Sequence, residues 1–80
     1  MNLGGEKAIS LASTDYTNEA GFFFNAASAG DVCYVPHGIA DAGAITRTFG
    51  ASNDYFPVLC RKILKTGTTA ATIYVATGIV

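Results

Sequence analysis

Apolar and polar residues along this chain alternate in short runs, not at the three-to-four spacing of a helix, and no long amphipathic helix is predicted. The strongest signal lies in the last third. Phe56 to Leu64 and Thr72 to Val80 are apolar, β-branched runs joined by a Thr/Gly-rich connection, a pattern that predicts a closing β-hairpin. Within the first run Phe56, Val58 and Cys60 share one face by the two-residue strand period, whereas Ile63 falls on the other parity, after Arg61 and Lys62. A phase slip of this kind predicts a β-bulge or sharp coil, the device that bends a small sheet over on itself. In the second run Ile73 and Val75 face one way and Tyr74 and Ala76 the other, so both faces need cover.

Upstream, residues 1–7 contain Gly4-Gly5 without periodicity and read as a flexible N-terminal arm, with a single β domain spanning 8–80. Ala8 to Ala12 alternates weakly as a short strand, and Ser13 to Gly21 is a polar connection. Phe22, Phe23 and Phe24 put aromatic rings on both faces of the next strand, which predicts core on one side and a subunit interface on the other. After a turn from Asn25 to Asp31, Val32 to Val35 is expected to pair back on the aromatic strand, and Pro36 ends it. Ile45 to Phe49 alternates as an amphipathic strand, and Gly50 to Asp54 is a turn-rich link. The predicted fold class is all-β, a small antiparallel sandwich or partly open barrel built from hairpins.

Composition changes this picture in one respect. A chain of 80 residues buries only about 60 to 65% of the surface that its unfolded form exposes. Yet apolar types make up 50% of it and charged types 14%, too few charges to coat a monomer. The expectation is an assembly component whose apolar surface is covered by other subunits. The net charge of −1 argues against a protein that must neutralise many phosphates. The acids all lie at or before Asp54, while Arg61, Lys62 and Lys65 stand together after it, an asymmetry that suits either head-to-tail packing of copies or neutralisation within one subunit. The N-terminus shows no export signal, and no apolar run is long enough to span a membrane. Cys33 and Cys60 each sit inside a strand pattern and read as small buried hydrophobes, not as a disulfide.

The segment Phe56 to Ala70, FPVLCRKILKTGTTA, resembles the signature LPVRVKRVLATGTTA of the small spike-base and head-decoration proteins of tailed phages and gene transfer agents. Ala29-Gly30-Asp31-Val32 matches that family's AGDV turn into a strand, and Ile9 to Asp15 matches an apolar residue followed by a polar segment ending in Asp. The resemblance runs from about Ala8 to the C-terminus. It implies a virion protein, assembled in the host cytoplasm, that forms a symmetric homo-oligomer and contacts the capsid shell and a spike or fibre.

Candidate chemistry is sparse. His37 is the single histidine, and with one cysteine four residues back it falls short of a zinc ligand set. Neither cysteine has the base or oxyanion donors that a nucleophile needs, so neither catalytic nor metal residues are expected, nor a cofactor. Thr66-Gly67-Thr68-Thr69 lacks the lysine and the following helix of a phosphate-binding loop, and reads as a structural turn with Gly67 left-handed and threonine hydroxyls on local backbone. Interface candidates are Phe22, Phe23 and Phe24 with Arg61, Lys62 and Lys65. The expected function is a non-enzymatic spike-base or capsid-decoration subunit. The alternative is a small oligonucleotide-binding barrel that stacks bases on the aromatic strand and meets phosphates with the C-terminal basic residues.

Overall fold

The structure is a computed structural model that describes residues 3–79; Met1 and Asn2 of the expected arm and Val80 of the last expected strand lie outside the described residues. The strands are β1 (Leu3–Gly4), β2 (Lys7–Ile9), β3 (Tyr16–Ala26), β4 (Gly30–Pro36), β5 (Ile45–Phe49), β6 (Cys60–Leu64), β7 (Ile73–Ala76) and β8 (Gly78–Ile79). A 3-10 turn, Asp41–Gly43, interrupts the connection from β4 to β5. Six strands form one antiparallel sheet in the order β2-β7-β3-β6-β4-β5, curled into a half-barrel, and β1 pairs with β8 as a separate ribbon. The chain is therefore all-β, a partly open barrel.

The connectivity departs from a string of hairpins. β6 and β7 do not pair with each other, because β3 lies between them, hydrogen-bonded to both. The connection from Lys65 to Thr72 exceeds the roughly two to five residues of a tight hairpin loop, which leaves room for a crossing. Likewise β4 does not pair with β3; β6 separates them, and the hairpin partner of β4 is β5. Strand periodicity identifies the faces of a strand but not which neighbour takes each edge.

Several boundaries differ as well. The polar stretch from Tyr16 onward is the first half of β3, the central and longest strand. Phe56 to Leu59 is irregular, yet it runs along the second half of β3, with Phe56 N–H donating to Phe24 O at 2.8 Å and Ser52 N–H to Ala26 O at 3.2 Å. Within the expected N-terminal arm, Leu3 pairs with Ile79, Gly4 with Gly78 and Lys7 with Val75.

The phase slip at Arg61 is a bulge. Opposite β4, Lys62 faces Val35 and Cys60 faces Pro36, which leaves Arg61 without a partner residue. Opposite β3, Thr17 faces Lys62 and Phe22 faces Cys60, so the chain from Asn18 to Gly21 loops out against Arg61. One extra residue flips strand parity, and this lets both Cys60 and Ile63 point into the core at 0% exposure. They join Phe22, Phe24, Val32, Tyr34, Ile73 and Val75 in one cluster, with Tyr16, Phe49 and Phe56 packed around it. Phe24 sits at the centre of an aromatic group, 5.5 Å from Tyr34, 5.4 Å from Phe49 and 5.4 Å from Phe56 between ring centroids. Full burial of the Phe24 ring contributes about 1.5 to 3 kcal/mol.

On the other face of β3, Asn25 is buried opposite Tyr74 with its Oδ1 unpartnered among the described residues. No contact in the structure explains that cost.

Gly67 has φ 93° in the turn from Lys65 to Thr68, where Thr68 N–H donates to Lys65 O at 3.4 Å. A Cβ there would stand 3.3 Å from the Cβ of Cys33. Both the positive φ and the contact resist a β-branched residue. Gly67→Val is expected to lower stability by about 1 to 3 kcal/mol, read by thermal or denaturant melting. Gly50→Val, at an open position with ordinary φ, serves as the control. Equal melting of the two variants would contradict this assignment.

Candidate functional site

The Thr/Gly segment after β6 completes β4. As β6 turns away at Leu64, the Thr68 hydroxyl inserts between the two strands: it accepts from Cys33 N–H at 2.9 Å and donates to Leu64 O at 2.6 Å. Thr69 continues the ladder, accepting from Asp31 N–H through its Oγ1 at 2.8 Å while its own N–H donates to Asp31 O at 2.8 Å. Ala70 N–H also donates to Asp31 O, at 3.1 Å. Farther on, Thr72 N–H donates to Ser28 Oγ at 2.9 Å and Ala27 N–H to Thr72 O at 3.0 Å, which leads the chain into β7 on the far side of β3. Close approach is required throughout, for a Cβ on Gly30 would meet the Ala70 backbone nitrogen at 2.7 Å. Thr68 and Thr69 are thus backbone substitutes, and the resemblance to the TGTTA signature falls on residues with a structural task here. Thr66 is exposed and makes none of these bonds.

The basic residues do not form a patch. Arg61 donates to Glu19 at 3.1 Å, to the Asp41 carboxylate, and through Nε to the carbonyl of Ile39 at 2.7 Å. Lys62 donates to Asp41 at 3.0 Å. The bulge residue of β6 therefore ties the loop within β3 to the connection between β4 and β5, and the opposite charges are neutralised within the chain. Hydrogen bonds from Lys62 first, then from Arg61, hold the Asp41 carboxyl below its usual range. Lys65 is separate: its side chain is exposed, while its backbone N–H donates to Asp15 Oδ1 at 2.8 Å.

The aromatic strand divides by parity. Phe22 and Phe24 are each 0% exposed, and Phe23, opposite Ala76, is half-buried on the other face. A base-stacking platform needs open ring faces, and two of these three rings offer none. Arg61 and Lys62 are engaged by carboxylates, which leaves Phe23, half-buried, and Lys65, exposed, as the residues named for an oligonucleotide-binding barrel that are not taken up inside the chain.

His37 is exposed in the connection after β4, while Cys33 and Cys60 are buried and unbridged. Burial pushes the Cys60 thiol up to about 12, so it stays protonated and poorly nucleophilic at neutral pH. Among the described residues no group of three or more His, Cys, Asp or Glu side chains is placed to hold a metal ion.

What remains open is surface. Among the described residues the outer edges of β2 and β5 have no strand neighbour. Ile39, Ile45 and Leu59 are the exposed large apolar side chains among those residues, at 44%, 41% and 40%. A cleft of about 380 Å³ lies beside the β2 edge, lined by Ile9, Leu11, Ala70 and Ala71 among others. Another, of about 220 Å³, lies at the end of β5 between Phe49, Asp54, Tyr55 and Phe56. The alternation from Ile45 to Phe49 marked that strand, but nothing in the sequence marked Ile39, Leu59 or either cleft, which arise from loop placement. A comparison with protein-family models, curated sequences and solved structures found no match. The functional reading rests on the residues themselves.

Thr68→Val keeps shape and removes the hydroxyl, leaving the Cys33 N–H and the Leu64 carbonyl unsatisfied; it is expected to destabilise by about 1 to 3 kcal/mol in urea melts, with Thr68→Ser close to wild type. Asp41 gives a pH-dependent counterpart. Its folded-state pKa is depressed, so its contribution is present above the ordinary value of 3.8 and is lost as pH falls through the lower folded value. Asp41→Asn should be less stable than wild type at pH 7, with the difference shrinking below about pH 4 and in high salt. A difference independent of pH would show that the ion pairs do not act on folding.

Proposed function

We propose that this chain is a non-enzymatic structural subunit of a phage-type particle: a spike-base or capsid-decoration protein that acts as a symmetric homo-oligomer and attaches to other particle proteins, the capsid shell and a spike or fibre. The observation that carries the reading is the combination of two sheet edges unpaired among the described residues with exposed Ile39, Ile45 and Leu59 on a chain with only 14% charged residues. Unprotected edges next to apolar side chains are the surfaces that isolated small β domains avoid and assembled ones use. The virion role draws on the resemblance of Phe56 to Ala70 and of Ala29 to Val32. The use of side chains supports a structural task over a chemical one, since the polar groups with the most partners, Arg61, Asp41, Thr68 and Thr69, are occupied in holding strands together.

Multi-angle light scattering on the purified chain is expected to show a discrete oligomer at micromolar concentration, and the protein is expected to co-purify with intact particles. A stable monomer that binds no hydrophobic dye and is absent from particles would overturn the proposal. Retention on single-stranded DNA that weakens with salt would point to the nucleic-acid alternative.

A further inference from the structure

Among the described residues the half-barrel is open at the outer edges of β2 and β5. We propose that they are complementary: β5 of one copy pairs antiparallel with β2 of the next, Phe49 opposite Lys7, Thr48 opposite Ala8, Arg47 opposite Ile9 and Ile45 opposite Leu11. This inference rests on the homo-oligomer reading above and specifies its interface.

Parity and charge select that register. Phe49, Arg47 and Ile45 lie opposite Gly30, Val32 and Tyr34, hence on the core-facing side of β5. Lys7 and Ile9 lie opposite Val75 and Ile73, hence on the core-facing side of β2. Directly opposed residues of neighbouring strands share a face, so only registers that oppose odd-numbered to odd-numbered residues continue the curled sheet. Sliding two residues one way opposes Lys7 to Arg47, two like charges. Sliding two the other way moves Ile45 past the cleft beside β2, to face Ser13.

In the chosen register each cleft meets a side chain of the neighbouring copy. Ile45, exposed within its own chain, enters the next copy's cleft between Ile9, Leu11, Ala70 and Ala71. Lys7, exposed on β2 and without an ion pair among the described residues, comes beside Phe49 and the cleft that holds Asp54. Asp54 likewise has no ion pair among the described residues. Pairing β5 with β5 about its middle would set Arg47 against Arg47. A contact between two different edges repeats head to tail, closing into a ring when its rotation allows.

The test uses cysteine pairs across the junction, since Ala8 and Thr48 are both exposed and the native Cys33 and Cys60 are buried. Ala8→Cys/Thr48→Cys under mild oxidation is expected to give a ladder of covalent multimers on non-reducing gels, with neither single variant doing so beyond a dimer. A second measurement guards against misfolding: Lys7→Glu and Asp54→Lys should each raise the dissociation constant about fivefold, and together restore it. A wild-type oligomer that shows neither the ladder nor the charge-swap rescue would overturn this interface and leave the assembly reading standing. A monomeric wild type would overturn both.

Discussion

The passage from β6 to β7 is the constraint on which the rest of this fold depends. β3 needs a strand on each edge, and the chain supplies them by running β6 up one side and β7 up the other. The connection between them must cross, and while crossing it must serve the backbone groups of β4 that β6 has abandoned. Thr68 and Thr69 meet both demands. A hydroxyl both accepts and donates, so Thr68 can bridge an N–H and a C=O that would otherwise have paired directly. A valine at that position would fill the space and orphan the donor.

A second device sits at Arg61 and answers a different need. A regular strand from Phe56 to Leu64 could not bury both Cys60 and Ile63 on one face, and the bulge supplies the missing half-period. Bulges leave a residue without a partner, and here that residue is a long cation able to reach across both neighbouring strands. Its contacts with Glu19, Asp41 and the Ile39 carbonyl fix the loop within β3 and the connection between β4 and β5 against the bend. Because these carboxylates are largely exposed, the ion pairs add little to stability as isolated contacts and act mainly to set local geometry.

What was legible in the sequence follows from the range of each signal. Alternation is local, so the strands Ile45 to Phe49 and Val32 to Val35 could be read directly, as could the slip at Arg61. The left-handed Gly67 was legible because its β-branched neighbours exclude that geometry. Edge choice is not local: whether β6 meets β7 or β3 depends on Phe22 and Phe24 drawing β3 into the centre and on hydroxyl bonds between residues far apart in the chain. The same holds for the site candidates. Phe22 and Phe24 went to the core and Arg61 and Lys62 to internal carboxylates, since a side chain long enough to reach a partner can also reach its own chain. The open edges of β2 and β5 became visible only with the strand order.

Native-state amide hydrogen exchange at Cys33 and Asp31 tests the role of the threonine hydroxyls most directly. If Thr68 and Thr69 serve as part of the sheet, these two amides are protected to the level of core amides such as Ile63 and exchange only through global unfolding. Exchange of Cys33 at the rate of an exposed loop amide, in a protein whose Ile63 remains protected, would contradict the account.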